Sequence, residues 1–314
     1  MSIAQRLADS ALINPGSDRV RSVAGLARRS ARSRAGRFLA EGPQCVREAL
    51  RAHLGEFDAL VPAPRDGVID ALYITERALQ RHPDIDQLVE RVLQAEGSPR
   101  VFVRMVSDEV LAAMSDAEHP QGVLAVCRIP ELTWAQVAER RPRLVAVMCR
   151  VQDPGNAGTV LRAADAAGAD AVVLTAGSVD LHNPKVVRST AGSLFHLPVL
   201  TGLDPAELVG RPVSDAAGGE LQVLAADGYG ALDLDELQDA SAAGREAAVE
   251  LARPTAWLFG NEAQGLSEQE KALASHRVAV PLHGAAESLN VGTAATLCLY
   301  ASARAQRRTA EGAA

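Results

Sequence analysis

Aromatic residues are scarce: Phe, Trp and Tyr together make up 3% of the 314-residue chain. A core must therefore be assembled from Ala, Val and Leu. Lysine is scarcer still, with only Lys185 and Lys271, so positive charge here means arginine. The four cysteines, Cys45, Cys127, Cys149 and Cys298, are scattered with no C-x-x-C pair. That spacing argues against a structural zinc site and for reduced thiols in a cytoplasmic protein. The seven histidines, among them His182, His196 and His283, also lack ligand spacing, so no metal is expected. No apolar run approaches the roughly 18 residues of a membrane span, and the opening stretch MSIAQRLADSALINPG has no signal-peptide core. No membrane partner is expected. Low-complexity tracts and internal repeats are missing as well.

What is present is an uneven charge distribution. The net charge is −7, which by itself speaks against a nucleic-acid partner. Residues 1–54, however, hold ten Arg against four acidic residues, a local +6, and the remainder carries −13. Seven of those arginines lie close together: Arg19, Arg21, Arg28, Arg29, Arg32, Arg34 and Arg37. Such a run is either a solvated helix face or a surface that contacts phosphates.

The hydrophobic pattern predicts two alternating α/β units. In the first, 19–37 reads as one basic helix, 38–43 as a strand and turn, and 44–53 as a helix with Cys45, Val46, Ala49 and Leu50 on one face. Strands are predicted at 71–75, 100–104 and 122–127, with helices at 79–96 and 107–114. Residues 128–143 carry prolines near both ends and read as a linker with a short helix. In the second unit, strands are predicted at 144–149, 171–174, 197–200, 221–225, 256–259 and 278–280. Helices are predicted at 159–167, 184–194 and 291–306, with an exposed acidic helix over 235–253. Strands that alternate with helices imply a mostly parallel sheet, and such sheets bind ligands beyond the carboxyl ends of their strands.

Three strand-to-helix junctions fall under that rule. At the first, VQDPGNAGTVLR, the spacing is not the G-x-G-x-x-G of a dinucleotide site. It reads as a βα turn whose glycines supply positive φ and whose Asn156 or Thr159 caps the helix. Arg162 then falls in the first turn or two, where a cation opposes the helix dipole unless something negative lies in front. The second, WLFGNEAQGL, reads as a turn built on Gly260, Asn261 and Gly265, with Glu262 where a ligand would be. The third, ESLNVG, places Ser288 and Asn290 around Leu289, when one cap needs only one such residue.

Together these motifs resemble the SpoU branch of the SPOUT methyltransferases. The matching positions are Asn156, Gly158 and Arg162; then Gly260, Asn261, Glu262 and Gly265; then Pro281, Leu282, Gly284, Ser288, Leu289, Asn290 and Val291. Residues 183–188 and 192–198 also resemble family members, and the likeness covers 144–306. The stretch RFLAEGP with the helix after it resembles the ribosomal-protein-L30e-like RNA-binding domain often fused ahead of this catalytic domain. The resemblance implies an α/β fold: a parallel-sheet SPOUT domain with a trefoil knot, preceded by the smaller L30e-like domain. It implies domains at 1–128 and 144–314 with a linker at 129–143, and a homodimer with the active site near its interface. S-adenosyl-L-methionine is the implied cofactor, held by Gly260, Asn261, Val280, Leu282, Gly284 and Leu289. Asn156, Glu262, Ser288 and Asn290 are implied at the reacting end.

The implied reaction is 2′-O-methylation of ribose in RNA, with rRNA favoured over tRNA and a nucleotide of 23S rRNA as the expected target. A guanidinium keeps its proton at any ordinary pH. Arg162 is therefore expected to clamp the phosphate and stabilise the developing alkoxide, with Asn156 and Ser288 orienting it or the ribose. Arg28, Arg29, Arg32, Arg34, Arg37 and Arg188 are the candidate RNA contacts. A nicotinamide enzyme lacks support in the glycine spacing. A non-catalytic RNA-binding protein has no need of the three junction motifs.

Overall fold

The computed structural model describes residues 3–8, 11–57, 67–95, 99–209 and 220–312. The chain forms two compact units, Met1–Glu131 with Asp180–His196, and Leu132–Val179 with Leu197–Ala314. Among the described residues no helix is long and apolar enough to cross a membrane.

The first unit is built on a mixed sheet of β1 (Arg37–Glu41), β2 (Ile69–Ile74), β3 (Phe102–Met105) and β4 (Val123–Arg128), in the order β1-β4-β2-β3. One face packs Leu39, Tyr73 and Val126 against Val20, Val23, Val110, Leu111 and Met114. The single basic helix expected over 19–37 is instead two, Asp18–Gly25 and Arg29–Ala35. The break has a cause: Arg32 is 3% exposed, and its guanidinium donates to the carbonyls of Leu26 at 2.9 Å and Ala27 at 2.7 Å, which the first helix leaves open. Its other nitrogen pairs with Asp180. The helix expected over 79–96 breaks at Pro83 into Glu76–Arg81 and Pro83–Gln94, because proline has no N–H to continue the ladder. Its expected end at Glu96 lies outside the described residues.

The segment Asp180–His196 was expected to carry a helix over 184–194. That helix ends at Ser189, and Ala191 (φ 50°) and Gly192 (φ 101°) turn the chain. A Cβ at Gly192 would lie 2.6 Å from Glu48 Cγ, so only glycine fits this approach. Within this unit Arg188 pairs with Glu41 at 3.0 Å and Asp116 at 3.1 Å, and His196 contacts Glu48 at 3.1 Å. Phe38 meets His182 in a tilted contact and stacks on Phe195.

The second unit is a seven-stranded parallel sheet, ordered β7-β6-β5-β10-β8-β11-β9. Its strands are β5 (Leu144–Met148), β6 (Ala171–Thr175), β7 (Val199–Leu203), β8 (Gln222–Ala226), β9 (Leu232–Asp233), β10 (Thr255–Phe259) and β11 (His276–Ala279). Every residue of β5, β6 and β10 is buried, as a sheet covered on both faces requires. Trp134 and Val137, within the stretch read as a linker, pack into one of its cores. The helix Val291–Gly312 lies against the helix Pro154–Ala167. They approach so closely that a Cβ at Gly292 would sit 2.6 Å from Thr159 Cγ2. The acidic helix expected over 235–253 is shorter, Leu234–Ala243. It buries Leu234, Leu237 and Ala240 and ends at Gly244 in a left-handed conformation.

Arg32→Ala leaves two helix-end carbonyls and the Asp180 carboxylate without their partner. It is expected to cost about 3–5 kcal/mol in urea unfolding at neutral pH. Burial alone would raise the Asp180 carboxyl, but Arg32 and the His182 N–H hold it below the usual carboxylate range. A lowered folded pKa stabilises above the unfolded value and is lost as pH falls through the folded one. The deficit of the variant should therefore shrink below about pH 4.

Candidate active site

The turns after β5, β10, β8 and β11 stand in that order along the carboxyl edge of the parallel sheet. The helix after β5 begins earlier than expected, at Pro154, with the Asp153 carboxylate accepting from Asn156 N at 2.8 Å. Asp153 followed by proline is a readable start signal: an N-cap and a first position where no N–H is needed. Asn156 is thus inside the first turn, not the cap, and Gly155 is not a positive-φ turn residue. Arg162 consequently lies in the third turn, where the dipole argument against a cation loses most of its force.

Glu262 reaches across from the turn after β10. Its carboxylate accepts the N–H groups of Gln152 at 3.2 Å and Asp153 at 3.1 Å, and the side-chain amide of Asn156 at 3.1 Å. Burial alone would raise the Glu262 carboxyl; the Asn156 amide and backbone N–H groups hold it below the usual carboxylate range. Asn156 Oδ1 in turn accepts from Asn290 Nδ2 at 2.8 Å, and Asn290 Oδ1 accepts from Gly292 N at 2.8 Å. One hydrogen-bond chain, Asn290 to Asn156 to Glu262, therefore joins all three junctions. Asn290 both caps the last helix and makes this link. Ser288 and Arg162 are exposed, and neither has a hydrogen-bond or ion-pair partner among the described residues.

The turn that carries Glu262 is locked from β5 by a residue that sequence reading passed over. Arg150 adopts φ 57°, a conformation rare outside glycine and asparagine. Its guanidinium donates to Glu270 at 3.0 and 2.7 Å and to the Gly265 carbonyl at 3.2 Å. Its own carbonyl accepts from Asn261 Nδ2 at 2.8 Å. The Asn261 side chain also accepts from Ala263 N and Gln264 N, so it is engaged within the turn. At Gly260 a Cβ would lie 2.4 Å from Gly265 C, which leaves no room for a side chain.

The other residues assigned to a cofactor, Val280, Leu282, Gly284 and Leu289, lie on the segment after β11. Leu282 is 40% exposed. Among the described residues, no N–H from 282 to 289 has an intramolecular partner. Free backbone donors and acceptors beside an apolar wall fit a purine-bearing cofactor.

Of the arginines singled out for RNA, Arg28, Arg29 and Arg34 are exposed. Arg32 is buried as described and is not available at the surface. Arg37 is held by Asp70 at 2.8 Å, and Arg188 by Glu41 and Asp116.

Residues 143–300 match the family model described as the SpoU rRNA Methylase family. The chain belongs to that family. Residues 17–125 match a second model, the MRM3-like substrate binding domain. A relative from Bacillus subtilis (strain 168), 23S rRNA (guanosine(2553)-2′-O)-methyltransferase RlmP, is 33% identical over 74% of this chain and 86% of its own. A 23S rRNA (uridine(2479)-2′-O)-methyltransferase from Streptomyces viridochromogenes is 32% identical over 64% of this chain and 67% of its own. The crystal structure of the SpoU methyltransferase AviRb from that organism, in complex with AdoMet, superposes with a TM-score of 0.71. It is 28% identical and covers 93% of this chain and 99% of its own.

For this SpoU member the Arg150 clamp makes a direct prediction. Arg150→Ala removes charge-assisted bonds to the 261–270 turn, each typically worth ~1.5–3 kcal/mol when shielded and less here, where Arg150 is 29% exposed. Amide hydrogen exchange at Ala263–Leu266 should quicken by about ten-fold or more while β5 and β10 keep their protection. Unchanged exchange in the turn would show that Arg150 does not hold it.

Proposed function

We propose that this chain transfers a methyl group from S-adenosylmethionine to a ribose 2′-hydroxyl of RNA, and that its substrate is 23S rRNA. The hydrogen-bond chain from Asn290 through Asn156 to Glu262 carries the reading, because it ties the three family motifs together. Two relatives named for 2′-O-methylation of 23S rRNA support the choice of substrate. Residues 1–128 would hold the RNA, with Arg28, Arg29 and Arg34 toward its phosphates, and 144–314 would carry the transfer.

Gly260, Val280, Leu282, Gly284 and Leu289 would hold the cofactor through backbone groups and apolar contact. When bound, S-adenosylmethionine supplies a methyl group on a positively charged sulfur. The chain's own task is to aim the ribose hydroxyl and to stabilise the charge that develops on it as its proton passes to solvent. Glu262 is engaged by three donors and stays a carboxylate, so it serves as a fixed anchor for Asn156 and the helix start. Arg162, without an internal side-chain partner among the described residues, is a cation available to a phosphate and to the developing alkoxide. Its fork can grip a phosphate with two bonds, whereas lysine offers a point charge. Alignment of this kind supplies up to ~7–11 kcal/mol of a barrier.

The helix Val291–Gly312 exposes Leu297 at 44% and Tyr300 at 47% on one side. We take this apolar stripe to be the face of a homodimer. β10 enters between the earlier strands β5 and β8, and β11 returns on the far side of β8, an order that supports the trefoil threading. Four buried free thiols support a cytoplasmic location.

Arg162→Lys should lower the rate of labelled methyl incorporation into an unmodified 23S rRNA transcript by about 10²-fold or more. Near wild-type turnover would rule out the two-bond clamp. The double variant Leu297→Asp, Tyr300→Asp should sediment as a monomer where the wild type sediments as a dimer. A wild-type monomer at micromolar concentration would end the dimer assignment.

A further inference from the structure

A fourth turn stands on the same carboxyl edge and belongs to none of the three motifs. It follows β8, between the turns after β10 and β11, and reads Asp227-Gly-Tyr-Gly230. Tyr229 is 90% exposed, in a chain with three tyrosines and 3% aromatic residues. One exposed ring is ordinary on a protein surface. What is not ordinary is how firmly its backbone is held. Tyr229 N donates to Asp227 Oδ1 at 3.1 Å, and its carbonyl accepts from Arg277 Nη2 at 3.0 Å. Gly230 N donates to the Asp227 carbonyl at 2.8 Å, and Asp227 N to the Val278 carbonyl at 3.0 Å. Asp227 also pairs with Arg277 at 2.9 Å. A Cβ at Gly230 would lie 2.7 Å from the Arg277 carbonyl group, so the turn passes over β11 with no space for a side chain. The result is a fixed backbone that holds one flat ring out in water beside the cofactor loops.

We infer that Tyr229 is a stacking platform for an unpaired base of the RNA substrate. The inference rests on the proposed reaction and deepens it: the RNA must present a ribose at this edge, and a flat ring with two side-chain torsions loses little freedom on stacking a base. Stacking on tyrosine needs no particular base, because every base has a π face. The cofactor's adenine is a poorer occupant, since a ring 90% exposed stands clear of the walls that enclose a small ligand.

The test uses the full chain and an unmodified 23S rRNA transcript, with competitor tRNA. Tyr229→Ala should weaken transcript binding about ten-fold, with S-adenosylmethionine binding by calorimetry within about two-fold of wild type. Tyr229→Phe should bind RNA like the wild type. In Tyr229→Trp, transcript without cofactor should quench the new indole emission; the native Trp134 and Trp257 are buried at 5% and 0% exposure. Weakened cofactor binding with unchanged RNA binding would assign the ring to adenine and overturn the inference. So would a Tyr229→Ala protein that binds both like the wild type. Binding is read without turnover, so a wild type that binds the transcript but transfers no methyl would defeat the proposed reaction while leaving the stacking result to stand on its own.

Discussion

The Glu262 carboxylate is the point on which the site depends. It accepts from the two residues that lead into the helix Pro154–Ala167 and from Asn156 within it. A negative group at this spot complements the helix dipole, and the Asp153 cap adds a second. The helix start is thereby anchored to the turn after β10, and through Asn290 to the start of the last helix. Three turns far apart in sequence are thereby tied into one hydrogen-bond chain.

The same group also sets the charge at the front of this helix. The front of this helix already holds two carboxylates, so a phosphate arriving there meets repulsion. Arg162 lies six residues beyond Asn156, about 9 Å further along the helix axis and about 120° round it. Arg162 therefore stands along the side of the helix, well behind the tip that holds those two carboxylates. That separation keeps the anchoring carboxylates and the guanidinium apart along one helix.

Much of this was legible in the residues. All-apolar runs such as Leu144–Met148 announce a buried parallel strand, and the placement of Asn156, Glu262 and Asn290 after such strands announces an edge where ligands bind. Other features lie outside local pattern. Nothing in the string around Arg150 signals a left-handed arginine, because the conformation is imposed by partners at Asn261, Gly265 and Glu270, more than a hundred residues away. Periodicity made 19–37 one helix; the split comes from Arg32 folding back onto carbonyls and onto Asp180, a contact across 148 positions. Charge counting placed Arg32 in a surface cluster, and Arg188 was expected to contact RNA, but neither reading sees the carboxylates, Asp180 and Glu41, that claim them.

The stretch Asp180–His196 lies within the bounds of the methylase match yet builds the interior of the first unit. It supplies Asp180 to Arg32, Arg188 to Glu41, the Val187 carbonyl to the Cys45 thiol, and rings beside Phe38. A fragment ending at Glu131 would lack these complements, although the Glu41 carboxylate would keep its donors at Ser115, Asp116 and Ala117. The first unit is thus not one continuous run of the chain. It cannot be cut free at one boundary, because the short piece Asp180–His196 belongs to it.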